Sequence, residues 1–259
     1  MHNFLDNIKQ SVIERVTSLP KFHHTPLNTL DFCDIFKNKN EPTFITEIKF
    51  ASPSLGKIYK GTLDHIAIAN EYLSNGASAL SVLAEPHYFK GDITYIENIR
   101  HTFPQAHILL KDFILSKKQI AQGLASGANA ILLIVAFLDK TILTELHEYA
   151  ISLGLTPIIE VHNLEELQIA LTLSPRIIGI NNRNLKTLNI SLDISRELIK
   201  HIPNECYAIC ESGIDNKIEI DKMRALGFDG FLIGSSLMKH AHPGEALKNM
   251  LNGKQNDKG

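Results

Sequence analysis

The 259-residue chain carries 26 basic and 28 acidic residues, a formal net charge of −2, and 44% hydrophobic residues. This apolar content is enough for one sizeable core, so we expect a single domain, and the absence of a broad positive field argues against nucleic acid as a partner. No apolar run reaches the roughly eighteen residues that cross a bilayer, and the N-terminus lacks the apolar core of a signal peptide, so we expect a soluble, cytoplasmic protein without a membrane partner.

The first forty residues precede any strand-like run and contain an amphipathic stretch. Its apolar residues recur at helical spacing: Leu5, Ile8, Val12 and Val16. We therefore expect a helical extension over residues 1–43 that lies on the main fold; a loosely docked tail is the alternative. At the other end, NGKQNDKG is polar and aperiodic, which predicts a disordered tail over residues 251–259.

Eight short apolar runs alternate with longer helical stretches across residues 44–250. This alternation is typical of βα units in a parallel sheet covered by helices. Because eight such units close into a barrel, we predict an α/β fold, a (β/α)8 TIM barrel with an N-terminal helical extension. The runs predicted as strands are 44–48, 79–83, 107–111, 130–134, 156–160, 177–181, 206–211 and 229–233.

A glycine stands at four of the predicted helix-to-strand junctions: Gly76, Gly127, Gly154 and Gly227. Glycine adopts the left-handed conformation that ends a helix without a Cβ clash. Four copies of one junction indicate a repeated architecture.

Polar residues follow the predicted strands at the ends that meet in the mouth of a parallel barrel. Burying an unpaired charge is costly, so the convergence of several charges indicates that they pair with each other or with a ligand. For any one of them alone, a strand-end charge that reaches water is the alternative. They are Glu47, Lys49, Lys111, Glu160, Asn181, Arg183 and Glu211.

Small residues follow the last two predicted strands, in Glu211-Ser-Gly-Ile and Ile233-Gly-Ser-Ser. Backbone N–H groups can approach an anion closely there, and these two loops form the usual phosphate site of such barrels. The pattern predicts a phosphorylated small-molecule ligand. For either loop alone, a tight turn is the alternative.

The segment EIKFASPSLGK (47–57) follows the first strand and is rich in serine, with a proline between. Proline disfavours an immediate helix, so we expect an ordered loop that closes over a ligand; a plain surface turn is the alternative.

Cysteine and histidine show no metal-binding pattern. The odd number of cysteines predicts reduced packing residues, namely Cys33, Cys206 and Cys210. The histidine pairs His23-His24 and His240-Ala-His242 are interpreted as solvated, because neither belongs to a two-histidine helical motif with a nearby acid. We expect no metal.

Seven segments in order make the chain resemble the indole-3-glycerol phosphate synthase family over nearly its whole length. They are EIKFASPS (47–54), LLKDFI (109–114), LLIV (132–135), IIEVHN (158–163), IGINNRNL (178–185), ESGI (211–214) and FLIGSSLM (231–238). The resemblance implies ring closure of 1-(2-carboxyphenylamino)-1-deoxyribulose 5-phosphate, with loss of carbon dioxide and water, to give indole-3-glycerol phosphate in tryptophan biosynthesis. It implies neither a metal nor an organic cofactor.

The resemblance also implies roles for the polar residues. Lys111 is the acid for the ribulose carbonyl oxygen, and we expect the partly apolar mouth to lower its pKa. Lys49 and Glu47 suit the second acid and the base of the dehydration. Glu160 stabilises the cationic intermediate or acts as an alternative base. Asn181 and Glu211 complete the catalytic set.

The binding positions follow from the same resemblance. Arg183 and Asn181, with Ser52, suit the anthranilate carboxylate or the sugar hydroxyls. The phosphate positions are Ser212, Gly213, Gly234 and Ser235. The remaining substrate-binding positions are apolar and suit the wall against the aromatic ring, although core packing would also explain each: Pro53, Phe89, Phe113, Leu132, Leu185 and Leu232.

Four positions depart from the family pattern: Phe50 stands where arginine is common, Leu55 where lysine is common, and Ala84 and Asp92 differ after the second strand. Because the first loop loses positive charge, we expect ordinary chemistry with altered substrate affinity or loop kinetics.

Two rival functions remain open from the residues. One is another enzyme on the same barrel, such as a phosphosugar isomerase or the α-type indole-releasing lyase. The other is a noncatalytic phosphate-binding scaffold. A monomer or a weak homodimer is expected.

Overall fold

Eight parallel strands form a closed barrel in a computed structural model that describes residues 4–20, 22 and 30–254, with side chains from residue 7 onward. The strands are β1 (Thr43–Ile48), β2 (Ala79–Leu83), β3 (Ile108–Lys111), β4 (Ala130–Ile134), β5 (Thr156–Val161), β6 (Ile177–Asn181), β7 (Tyr207–Glu211) and β8 (Gly230–Ile233). Each strand pairs with its neighbour in sequence, and β1 closes the ring by pairing with β8. The TIM barrel is confirmed, and every predicted strand end lies within one residue of the observed one.

Helices surround the barrel in the described part of the chain: seven connect successive strands, one precedes the first strand and two follow the last. They are α1 (Phe4–Ser18), α2 (His65–Ser74), α3 (Thr94–Thr102), α4 (Lys117–Ala125), α5 (Lys140–Ser152), α6 (Leu164–Leu171), α7 (Asp193–Leu198), α8 (Lys217–Ala225), α9 (Ser235–Met238) and α10 (Pro243–Leu251). Among the described residues, no helix is long and apolar enough to cross a membrane. The four predicted junction glycines all have positive φ, from +78° to +112°, which confirms their role as helix ends.

The N-terminal helix α1 is docked on the barrel. Ile8 and Val12 are buried in the same apolar cluster as the interior strand residues Ile45 and Ile158. Arg15 adds a bidentate ion pair to Asp112, at 2.9 and 2.8 Å. The docked helix is therefore confirmed against the loosely attached alternative. The side chain of Leu5 lies outside the described residues.

Several smaller predictions concern the ends of the chain and its cysteines. Cys33, Cys206 and Cys210 are free and buried in apolar packing, as expected. His242 is exposed and pairs with Glu71 at 2.9 Å, whereas the pair at 23–24 lies outside the described residues. Helix α10 runs to the first residue of the predicted tail, of which 255–259 lie outside the described residues.

Candidate active site

A pocket opens at the carboxyl ends of the barrel strands, where the strand-end rule places it. All predicted site residues line it except Ser52 and Pro53. Those that line it are Glu47, Lys49, Phe89, Lys111, Phe113, Leu132, Glu160, Asn181, Arg183, Leu185, Glu211, Ser212, Gly213, Leu232, Gly234 and Ser235.

Lys111 connects three strands at the centre of the pocket. Its Nζ lies 3.0 Å from Glu160 Oε2 at the end of β5 and 3.4 Å from Glu211 Oε2 at the end of β7. The two carboxylate side chains are 1% and 2% exposed, and the lysine side chain is 14% exposed. Each buried charge therefore has an opposite charge within ion-pair distance, as the cost of burial requires.

The expectation that the pocket lowers the pKa of Lys111 is wrong. Burial does lower this pKa, but the carboxylates of Glu160, Glu211 and Glu47 raise it well above the ordinary value for lysine. For Glu160, burial favours the neutral acid, yet Lys111 and His162 lower its pKa overall. Lys111 and Glu160 are therefore both ionised at neutral pH.

Glu211 is in a different electrostatic state. Burial and the neighbouring carboxylates of Glu160 and Glu47 raise its pKa, against the opposing effect of Lys111. Its Oε1 is buried and has no hydrogen-bond partner within the described part of the chain. A Cβ on Gly179 of β6 would overlap this oxygen, so the glycine leaves the space that the carboxyl group occupies. Glu211 can thus present a hydrogen-bond donor or acceptor to a ligand.

A second ion pair lies on the β1 side of the pocket. Lys49 Nζ is 2.5 Å from Glu47 Oε1, and Ser81 Oγ donates to Glu47 Oε2 at 3.5 Å. The two residues are on one face because side chains alternate along an extended chain. A Cβ on Gly234 would stand 2.6 Å from Glu47 Oε1, so glycine is needed there for the two strand ends to approach. Lys49 as an acid and Glu47 as a base therefore lie next to each other, close to the loop that follows β8.

The loops after β7 and β8 form a backbone cradle. Ser212 and Gly213 have φ of +65° and +86°, and Ser235 starts the short helix α9, whose first N–H groups have no acceptor within the helix. The buried amide of Asn182 donates to the carbonyls of Glu211 and Ser212, at 3.0 and 3.1 Å, and fixes the strained turn. Small side chains leave this backbone open to the pocket.

The same pocket has an apolar wall. Phe89 from the β2 loop and Phe113 from the β3 loop have ring centroids 6.2 Å apart, and Phe137 extends the cluster behind Phe113 at 5.1 Å. Leu132, Leu185 and Leu232 complete the lining. This surface can bury a planar aromatic ring.

The first loop takes a different course from the one expected. Ala51–Ser52 and Gly56–Lys57 pair as a short antiparallel hairpin, with Pro53 exposed at its turn. Ser52 accepts from the Leu55 amide at 3.3 Å, so its hydroxyl supports the turn rather than the pocket. The loop still reaches the site through Ser54, which accepts from Arg183 Nη1 at 3.4 Å.

Three residues that were not predicted from the sequence contact the predicted site: Asn182, Gly179 and His162. Each belongs to the segment IGINNRNL or IIEVHN. The sequence alone does not indicate that a glycine or an amide contacts a site residue, because that contact depends on the register of neighbouring strands. No group of three histidine, cysteine or acidic residues is placed to hold a metal ion among the residues described.

Comparison with known proteins identifies the family. A family model described as indole-3-glycerol phosphate synthase matches residues 3–250. The chain belongs to the indole-3-glycerol phosphate synthase family. Relatives with this name include a protein from Campylobacter jejuni, 37% identical over 97% of this chain and 99% of the relative. Another, from Burkholderia vietnamiensis, is 37% identical over 96% of this chain and 99% of its own length.

Two solved structures share the barrel at only 10% identity, which shows the fold alone. One is 3-hexulose-6-phosphate synthase from Salmonella typhimurium, with a TM-score of 0.64 over 81% of this chain and 98% of that chain. The other is KGPDC from Streptococcus mutans, with a TM-score of 0.63 over 82% and 96%.

As a member of the indole-3-glycerol phosphate synthase family, the chain is an enzyme, a carboxy-lyase of tryptophan biosynthesis that acts on a phosphorylated small molecule. The residues of the pocket agree with that chemistry. Two pairs of opposite charges, a backbone cradle and an aromatic wall share one cavity.

Proposed function

We propose that this pocket closes the indole ring of 1-(2-carboxyphenylamino)-1-deoxyribulose 5-phosphate and releases carbon dioxide and water. The observation that carries the proposal is Lys111, held between two buried glutamates from separate strands in the cavity that also contains the backbone cradle. The substrate has a phosphoryl group at one end and an aromatic acid at the other, and this cavity offers a backbone cradle for the first and an apolar wall for the second.

The cradle and the wall orient the substrate. The phosphoryl group accepts hydrogen bonds from the backbone at Ser212, Gly213, Gly234 and Ser235, and the aromatic ring packs on Phe89, Phe113 and the three leucines. Arg183, whose backbone N–H donates to Asn181 Oδ1 at 3.0 Å, binds the carboxylate or a sugar hydroxyl together with that amide. Ser52 and Pro53 act indirectly, by shaping the hairpin that brings Ser54 to Arg183.

Lys111 supplies the first proton. As the aryl carbon attacks the ribulose carbonyl carbon, the carbonyl oxygen becomes an alkoxide, which is a stronger base than an amine. A lysine with a raised pKa therefore still transfers its proton, and it is fully protonated at neutral pH. Glu160 is ionised beside it and stabilises the cation that forms on the ring and nitrogen.

The remaining steps restore the aromatic ring. Loss of carbon dioxide returns the electron pair of the C–C bond to the ring and neutralises the cation. Lys49 then protonates the hydroxyl group that leaves as water, and Glu47, 2.5 Å away, removes the ring proton. Glu211 contacts a sugar hydroxyl through its unpaired Oε1.

We further infer the setting in which the enzyme works. The chain acts as one unit, with the extension at 1–43, the barrel at 44–250 and the tail at 251–259. Three free buried cysteines agree with the reducing cytoplasm. Exposed large apolar side chains such as Ile13, Ile151 and Ile218 lie on separate helices, which supports a monomer or a weak homodimer. Analytical ultracentrifugation tests that state.

The direct test is turnover of the proposed substrate, followed by the ultraviolet and fluorescence change of indole formation. We expect product from the wild-type protein. Lys111→Ala should abolish turnover while substrate binding, measured by calorimetry, remains. Lys117→Ala, which removes an exposed lysine on α4, is the matched control and should be fully active. No product from the wild-type protein, or an active Lys111→Ala, would contradict the proposal.

A further inference from the structure

His162 is a buried histidine to which the steps above assign no role. It directly follows β5, two residues beyond Glu160, and its side chain is 8% exposed. Residues two apart on an extended chain project to the same side. The imidazole therefore reaches the back of the catalytic carboxylate.

Both ring nitrogens of His162 face carboxylate oxygens. Nε2 lies 3.2 Å from Glu160 Oε1, which is ion-pair distance without hydrogen-bond geometry, and Nδ1 lies within hydrogen-bond distance of Glu166 Oε2, at 2.9 Å. A neutral imidazole has only one N–H donor, whereas the imidazolium has two. Only the imidazolium turns a positively charged N–H group toward each of the two carboxylates.

Glu166 is itself held firmly. It belongs to a reciprocal cap at the start of α6, in which its backbone N–H donates to Asn163 Oδ1 at 2.9 Å and its carboxylate accepts from the Asn163 side chain. The same carboxylate accepts from the backbone N–H of His162 at 2.8 Å. The start of α6 therefore fixes the position of the imidazole.

The two oxygens of Glu160 have separate partners. Oε2 accepts from Lys111, and Oε1 faces His162. We infer that His162 is a positioning residue that fixes the orientation and the negative charge of Glu160 during the ring closure. This inference rests on the proposed function, and it adds a chain of contacts from the start of α6 through Glu166, His162 and Glu160 to Lys111.

The charges around His162 favour its cationic form. Burial lowers its pKa, but the carboxylates of Glu160 and Glu166 outweigh burial and raise it to about 9. The adjacent strands β4 and β6 end in Ile134 and Asn181, which carry no charge, and the cations that lower the pKa of Glu160 most are Lys111 and His162. Without the imidazolium, Glu160 loses one of its two counter-charges.

Three substitutions test the role, because amide side chains can replace one imidazole nitrogen at a time. In His162→Gln the amide nitrogen can occupy the place of Nε2 and donate to Glu160, whereas in His162→Asn it replaces Nδ1 and donates only to Glu166. We expect His162→Ala and His162→Asn to lower kcat about 10- to 100-fold with little change in KM, since misplacing a catalytic group costs on that scale. We expect His162→Gln to retain most of the activity.

Equal activity of the Gln and Asn variants, or higher activity of the Asn variant, would overturn the inference, because a purely structural role at the helix cap needs the contact with Glu166 and not the one with Glu160. An NMR titration of the ¹⁵N-labelled wild-type protein gives a second readout: both ring nitrogens should be protonated at pH 7, with a midpoint near pH 9. A midpoint near the ordinary value of about 6.5 would also overturn it. His147→Gln, at a buried histidine on α5 outside the pocket, is the control.

The experiments distinguish failure of the proposed function from failure of the role inferred for His162. Absence of product from the wild-type protein overturns the proposed function. Product formation with equal Gln and Asn variants overturns only the role of His162.

Discussion

Replacing Arg15 by methionine should destabilise the barrel, because Arg15 of α1 supplies the cation that pairs with buried Asp112. Its Nη2 donates to both carboxylate oxygens, at 2.9 and 2.8 Å, and the two side chains are 22% and 6% exposed. Methionine keeps much of the aliphatic stem, so packing changes little while the charge is lost.

The size of the effect follows from what remains around Asp112. Removing one partner of a fully buried ion pair costs about 3–5 kcal/mol. The Phe113 amide still donates to Asp112 Oδ1 at 2.8 Å, and Arg15 is partly exposed, so we expect a lower value of about 2–3 kcal/mol.

The effect should also depend on pH. Burial already raises the pKa of Asp112, and Arg15 opposes that rise. In Arg15→Met the folded protein therefore binds the proton more readily than the unfolded chain. The destabilisation is largest at neutral pH and shrinks as the pH falls towards the raised pKa.

Urea denaturation followed by circular dichroism measures the loss, with Asp112→Asn and the double variant completing a thermodynamic cycle. We expect a coupling free energy of about 1–3 kcal/mol between the two positions. A loss below about 0.5 kcal/mol for Arg15→Met, or additive effects in the cycle, would refute the claim that this ion pair fastens α1 to the barrel.

Three further predictions concern the site. Gly179→Ala places a Cβ where the Glu211 carboxylate lies, so kcat should fall at least about 10-fold while the circular dichroism spectrum stays unchanged. A variant with the wild-type kcat would show that the position of Glu211 does not affect turnover. Leu55→Lys adds a positive charge at a loop residue that is 59% exposed, so KM for the anionic substrate should fall and should depend more steeply on salt concentration. An unchanged KM at low salt would count against a role for the charge of this loop. Because the pKa of His162 is raised in the folded state, its contribution to stability is complete below about pH 6.5 and is lost as the pH rises through about 9. The difference in unfolding free energy between wild type and His162→Gln should shrink over that window; a constant difference would contradict the assignment.

The strands were predictable because each is a short buried run, and four of the eight are preceded by a helix-ending glycine. Parallel strands buried on both faces are nearly continuous in apolar residues, and the junction glycines such as Gly127 need positive φ. Both signals are local in sequence, so neither depended on knowing which strands pair.

The candidate site was predictable as a set of residues, but its electrostatics were not. The strand-end rule brings Lys111, Glu160 and Glu211 to one mouth, although they lie on separate strands. The direction of the Lys111 pKa depends on distances between those strands, which no sequence pattern contains. The position of Ser52 was not predictable for a similar reason, since the hairpin in which its hydroxyl accepts from the Leu55 amide forms only through pairing with Gly56.

A structure of the enzyme with indole-3-glycerol phosphate bound is the most direct test of the proposed site. We expect the phosphoryl oxygens within hydrogen-bond distance of the backbone amides at Gly213 and Ser235, and the indole ring against Phe89 and Phe113 with Lys111 beside the reacting carbons. A phosphoryl group bound elsewhere on the barrel, or a ring outside this wall, would contradict it.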